Sequence, residues 1–342
     1  MRGAPDVAAS RVGSAESPVT VLCIDGDSLD RAQGLSDRLD APVAVCEAGC
    51  SEAAFIPEPG LLYLKVSRDG LALMRDGMEL RPDFAEMLPR IKHGALQREM
   101  LVKAARVKGV EVPRAVDATA GLGEDSLLLA AAGFTVTLCE ADPVIAALLE
   151  DALARASAHE VLGPIVERMH LVAGDSRITL ERAGASTGAQ PDVVYLDPMF
   201  PGRTKSAAVK KKFQLIHGLE RPTEPLDEES LLQAALAAHP RKVVIKRPVK
   251  GPYLAGVKPS HAIAGKAVRY DCIVPPRCRA YGALAHSDQA RRGRARSGQA
   301  HRIRLPRSAK RKMGFPTRGL TPRCAIGVEW PVETTTMGGW AI

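Results

Sequence analysis

The chain has 342 residues, 46% of them hydrophobic, which is enough for one large or two ordinary domains. No run approaches the roughly 18 apolar residues of a membrane span, which excludes an integral helical membrane protein. The formal net charge of +8 is unevenly spread: residues 276–342 hold 14 Lys/Arg and 3 Asp/Glu, whereas the remainder holds 33 and 36, a net of −3. The basicity therefore belongs to the tail, and for the main body only local clusters argue for an anionic partner. The N-terminus lacks an apolar signal core, and the seven cysteines are scattered without a CxxC pair. They read as reduced thiols of a cytoplasmic protein, with neither a disulfide framework nor a metal site.

In chain order, residues 1–17 read as a flexible leader of small and polar residues. A strand is expected over Val19–Asp25, followed by a helix opened by Ser28. "LLYLKVSRDGLALMRDG" reads as two strands joined at "SRDG", where Asp-Gly favours a hairpin turn. The segment Ile91–Gly109 reads as helix-rich and basic on one side. Residues 18–108 are thus expected to form a small α+β domain. From residue 109 to 275, strands alternate with helices: "RAVDATA", "FTVTLCE", "RMHLVAG", "DVVYLD" and "RKVVIKRP" are strands, and "AVRYDCIV" is the last. Asp142 is the expected N-cap of the helix beginning at Pro143, and Gly133 closes the one before. Val- and Leu-rich strands alternating with helices predict an α/β fold, a mostly parallel sheet covered on both faces. Ligands in such sheets sit at the carboxyl ends of the strands. Residues 276–342 carry no apolar stripe and read as a disordered basic tail.

The chemistry-bearing residues fall at those strand ends. "VDATAGLGEDS" runs from Asp117 through a turn with Gly121 and Gly123 into a helix beginning at Glu124 and Asp125. Such a turn lets a nucleotide-like ligand approach the backbone. Ser126 stands where a dinucleotide fingerprint wants a third glycine. The acids around the turn would repel a pyrophosphate and suit the amino acid end of S-adenosylmethionine. Glu140, 17 residues after Gly123, ends the next strand beside Ala141, where a carboxylate can accept two ribose hydroxyls of either NAD or S-adenosylmethionine. Asp175 and Ser176 follow the third strand, suited either to an adenine edge or to capping the next helix. Asp197 ends the fourth strand. With the Pro198 carbonyl it offers acceptors for an exocyclic amine, and Phe200 offers a ring to stack on a base. A strand exit with a core Phe is the plain alternative. Arg203, Lys205, Lys210, Lys211 and Lys212 follow, and Lys246, Arg247 and Lys250 end the next strand. All are expected on the same rim, positioned for RNA phosphates.

"VDATAGLGEDS", "CEADPVIAALLEDALARA", "VVYLDPMFP", "KSAAVKKK" and "VVIKRP" together resemble the RsmJ-type small-subunit rRNA (guanine-N2)-methyltransferases over about residues 60–274. The resemblance implies a class I methyltransferase fold, a Rossmann-like, mostly parallel seven-stranded sheet. It implies S-adenosylmethionine as donor and a guanine of 16S rRNA, alone or in the small subunit, as acceptor. By the same resemblance, cofactor contacts fall on Glu124, Asp125, Glu140, Ala141, Asp175, Ser176 and Asp197. The chain departs from that pattern at Glu124, Ala141 and Asp175. A methyltransferase acting on DNA or an adenine amine, since "DPMF" resembles a "DPPY"-type motif, and a non-catalytic RNA-binding or assembly protein are the alternative readings.

Overall fold

The computed structural model describes residues 17–46, 57–186, 188, 190–198, 215, 216, 219 and 227–275. The leader up to residue 16, the tail from 276, and Phe200, Arg203, Lys205, Lys210, Lys211 and Lys212 lie outside the described residues.

The N-terminal sheet has five strands. β1 (Thr20–Cys23) leads through a short 3-10 turn into α1 (Leu29–Leu39), which returns the chain to β2 (Val43–Val45). β3 (Tyr63–Ser67), β4 (Gly70–Arg75) and β5 (Met78–Leu80) follow as a meander, giving the order β2-β1-β3-β4-β5. The β3–β4 hairpin turns where expected, with Ser67 opposite Gly70. A second hairpin was not read from the sequence: Asp76 and Gly77, at φ 49° and 71°, join β4 to β5. Two positive φ angles between paired Arg75 and Met78 mark a type I′ turn, whose twist matches that of the strands. Ser28 stands at the N-cap of α1 but makes no side-chain bond to that helix.

Three short helices follow, α2 (Leu88–Ile91), α3 (His93–Leu96) and α4 (Met100–Ala105). Phe84, Met87, Leu96, Leu101, Ala104 and Ala105 are buried in the core of the second sheet. The packing therefore groups this segment with the later strands, although it precedes residue 108.

That second sheet contains β6 (Arg114–Asp117), β7 (Thr135–Glu140), β8 (Met169–Ala173), β9 (Val193–Leu196), β10 (Lys242–Pro248), β11 (His261–Ala264) and β12 (Val268–Ile273). Its helices are α5 (Glu124–Ala131), α6 (Pro143–Ser157), α7 (Gly163–Val166), α8 (Ser176–Ala185) and α9 (Glu228–Ala237). The strand order is β11-β12-β10-β9-β6-β7-β8. β8, β7, β6, β9 and β10 are mutually parallel, and β12 runs antiparallel between β10 and β11. β11 escaped the sequence reading because "HAIA" is short, and the structure leaves most of it exposed at the sheet edge.

Side chains alternate between the faces. Val193 and Tyr195 enter one core with Leu127–Leu129 of α5, while Val194 and Leu196 enter the other with Leu180 of α8 and Leu231 and Leu232 of α9. α6 is apolar on more than one side. Leu149, Ala152 and Ala156 face the core of the seven-stranded sheet, and Val144, Ile145, Ala147 and Leu148 face that of the five-stranded sheet. A helix apolar around most of its circumference is one covered from several directions, so α6 is the element the two sheets share. No described helix is long and apolar enough to cross a membrane.

Candidate active site

The sheet order reverses at β6: β7 and β8 lie to one side of it, β9 and β10 to the other. At such a switch point the loops from adjacent strands diverge and leave a crevice. The strand-end carboxylates meet there. Asp117 pairs with Tyr195 across β6–β9 and with Leu138 across β6–β7, so Asp197 and Glu140 each extend two residues farther, on either side of it.

The glycine turn has the conformation its residues require. Gly121 and Gly123 have φ of 54° and 78°. A Cβ on Gly123 would come within 2.7 Å of Leu149 Cδ1 and 3.1 Å of Phe84 Cζ, so that position must lack a side chain. At Gly121 nothing lies within 4 Å of where a Cβ would stand, which leaves the backbone open to a ligand. Glu140 holds the turn from the neighbouring strand: the Gly121 N–H donates to Oε2 and the Asp142 N–H to Oε1, both at 2.8 Å. Burial pushes the Glu140 carboxyl upward, and these two backbone bonds oppose the shift. Asp142 caps α6, accepting from the N–H groups of Val144 and Ile145.

Asp117 is 1% exposed. Burial pushes its carboxyl up to about 7 against hydrogen bonds that favour the charged form. These come from the Ser126 hydroxyl to Oδ2 at 2.6 Å and the Thr119 N–H to Oδ1 at 3.1 Å. Asp117 is thus an internal anchor of the turn. Thr119 also accepts from the Asp197 N–H at 2.7 Å, which ties the end of β9 to the loop after β6. Thr119, Ser126 and Tyr195 were not singled out as site residues from the sequence, and the signal that could have pointed to Thr119 and Ser126 is their place inside the glycine motif.

Asp125, in the first turn of α5, accepts from the Tyr195 hydroxyl at 2.6 Å and from Lys246 Nζ at 2.7 Å, both on Oδ2. Lys246 Nζ also lies 2.8 Å from Asp197 Oδ2. Burial alone would lower the Lys246 ammonium, but Asp125 and Asp197 outweigh it and hold the group above its ordinary value. Pro198 follows, buried. Glu124 and Ala141 are exposed beside the crevice, and Ser176 is buried at the start of α8.

Three expected roles change. Lys246 and Arg247 were expected on the rim as phosphate contacts. Lys246 is instead taken by two carboxylates, whose negative charge opposes a phosphate. Arg247 is 1% exposed, and its guanidinium donates to Glu228 at 3.0 Å and to the Pro252 carbonyl at 3.1 Å. Strand alternation sends these consecutive side chains to opposite faces, and neither reaches solvent freely. Lys250 is exposed. Asp175 caps α8 through the Arg177 N–H, and its carboxylate is also gripped by the Arg177 guanidinium at 2.7 Å. Arg177 holds the Asp175 carboxyl below the usual range. The capping reading therefore describes the observed side chain.

A turn open at Gly121, an ordered carboxylate at Glu140 and acids around the crevice fit the adenosine and amino acid ends of S-adenosylmethionine. With the antiparallel strand between the last two parallel ones, the fold and site define a class I S-adenosylmethionine-dependent methyltransferase, and S-adenosylmethionine is its cofactor. Residues 60–275 match the family model "Putative SAM-dependent methyltransferase". A ribosomal RNA small subunit methyltransferase J of Pseudomonas aeruginosa is 41% identical over 263 residues, 75% of this chain and 95% of that protein. Its namesake from Thioalkalivibrio sulfidiphilus is 38% identical over 76% of this chain and 98% of its own length. The crystal structure of a SAM-dependent methyltransferase from Neisseria gonorrhoeae superposes with a TM-score of 0.56 at 30% identity, covering 77% of this chain and 97% of that one. The chain belongs to the ribosomal RNA small subunit methyltransferase J family.

Proposed function

We infer that the protein methylates the exocyclic N2 amine of a guanine in 16S rRNA, in the cytoplasm. The rRNA substrate is supported by the names of its relatives. The amine acceptor is supported by one observation above all, the Asp197 carboxylate at the switch point, followed directly by Pro198. An exocyclic amine is a weak nucleophile because its lone pair is delocalised into the ring. Acceptors on its N–H hydrogens hold it in line and favour pyramidal nitrogen. Asp197 and the Pro198 carbonyl are those acceptors, and proline donates no N–H of its own to compete. Bound S-adenosylmethionine supplies the methyl group. Glu140, the Gly121 backbone and Glu124 hold it, and Phe200 stacks on the base. The rate arises mainly from positioning the two reactants.

Mass spectrometry of rRNA from a strain lacking the gene tests the substrate: one N2-methylguanine should disappear from 16S rRNA, and an unchanged inventory would sink the assignment. Purified enzyme should methylate 16S rRNA or the small subunit and leave DNA and adenine unmodified. Asp197→Ala should abolish transfer while circular dichroism stays that of the wild type, and full activity in that variant would refute its role.

A further inference from the structure

The geometry points to Lys246 as a positioning residue of the methyl-transfer site, the strut that sets Asp197 relative to the cofactor turn. The inference rests on the reading of Asp197 as the amine acceptor.

β9 and β10 are parallel and Leu196 is opposite Ile245, so the next residues, Asp197 just past the end of β9 and Lys246 still within β10, lie side by side. Lys246 then reaches across to Asp125 on α5, contacting both carboxylates at 2.7 and 2.8 Å. These bonds are one arc of a closed ring. Asp125 is followed by Ser126, whose hydroxyl donates to Asp117. Asp117 accepts from the Thr119 N–H, and Thr119 accepts from the Asp197 N–H. The ring therefore joins the glycine turn, the start of α5, the end of β9 and the end of β10. Only Lys246 in it is cationic. Among the described residues it is the cation seen to bridge the side chains of Asp125 and Asp197, two like charges that repel each other.

The three partners are partly desolvated, with side-chain exposures of 26% for Lys246, 17% for Asp125 and 36% for Asp197. Electrostatic contacts there are stronger than on open surface. An ammonium has three donors, two of which are used here. Asp125 is further fixed by the Tyr195 hydroxyl, whose ring is 1% exposed. The Lys246 ammonium is thus anchored on its Asp125 side by a rigid neighbour, and it transmits that fixed position to Asp197. A phosphate hook would need a cation facing solvent, and this one faces two acids.

The test is steady-state methyl transfer to 16S rRNA by full-length wild type, Lys246→Met and Lys246→Arg, with S-adenosylmethionine binding followed by calorimetry. Lys246→Met is expected to lower kcat by about a hundredfold, the cost of a small misplacement of a reacting group. The KM for RNA and the cofactor affinity should stay at wild-type values. Lys246→Arg keeps the charge but replaces a compact ammonium by a planar fork, and should lower kcat by about tenfold at unchanged KM. A raised KM with unchanged kcat and a salt dependence shallower by about one counterion would overturn the inference in favour of a phosphate contact. A lower melting temperature with unchanged kcat would overturn it in favour of a purely structural pair. Should Lys246→Met not fold, Lys246→Arg decides alone, and wild-type kcat in it is the refuting result. An active Asp197→Ala would instead show that the underlying reading of Asp197 has failed.

Discussion

Asp151, in the middle of α6, and Asp125, at the start of α5, are both carboxylates held by cations from distant parts of the chain. Asp151 is 3% exposed and accepts from Arg31 of α1 at 2.5 Å, from Arg155 one turn along its own helix at 2.8 Å and from the Leu71 N–H of β4 at 3.1 Å. Both oxygens are engaged, and the cluster stitches the five-stranded sheet to α6. Asp125 shares its cation with a second acid at the mouth of a crevice. The cations come from similar distances in sequence, 120 and 121 residues away, so a long-range ion pair by itself does not mark function. What differs is location and saturation. One carboxylate lies between packed elements and is closed off, whereas the other lies at the carboxyl ends of parallel strands, where ligands bind.

That contrast can be broken most forcefully at Asp151. Asp151→Leu removes the partner of two guanidiniums and of a buried amide, and should cost about 3 kcal/mol in denaturant unfolding. The folded fraction should keep its kcat, and a large drop in kcat would erase the distinction between the two clusters. Gly123→Ala comes next, since it meets Leu149 and Phe84 and strains a positive φ. Calorimetry and unfolding should show weaker cofactor binding and a loss of about 2 kcal/mol.

Asp117→Asn sharpens the comparison through pH. Burial lifts the folded-state carboxyl from 3.8 to about 7, so the native state holds this proton more tightly than the unfolded chain does. Its contribution to stability is complete below about pH 4 and is lost as pH rises through about 7. Asn keeps the shape and has no such titration. Melting temperatures of the two proteins should therefore converge or cross as pH rises from 4 to 8, and parallel curves would contradict it. The smallest effect belongs to Arg38→Ala. The Arg38–Glu150 pair also links α1 to α6, at 2.7 Å, but its side chains are 47% and 60% exposed. Its loss should change stability by less than about 1 kcal/mol, because exposed ion pairs are screened and entropically loose.

The sequence gives strong local cues and weak partner cues. The alternation of strands and helices, the glycine turn, the Asp142 cap and the order of Asp117, Glu140, Asp175 and Asp197 were all legible, since each depends on a few adjacent residues. β5 was missed although its Asp76–Gly77 turn was in plain sight. "MEL" is only three residues, too short to show a period. The packing of Phe84–Ala105 against the later strands was not legible, because an apolar stripe does not name what covers it.

By itself the sequence determined the fold class and which residues stand at the strand ends, because periodicity, turn chemistry and caps act over neighbouring positions. Only the tertiary structure decided what those residues hold. Strand register sets Lys246 beside Asp197 and not in solvent. Pleat alternation buries Arg247 against Glu228. The close approach of α5 to β10 brings Asp125 within reach of the same ammonium. Each of these is a contact across tens of residues, fixed by which strands pair and which faces are covered, and a basic dipeptide at the end of a strand carries no record of either.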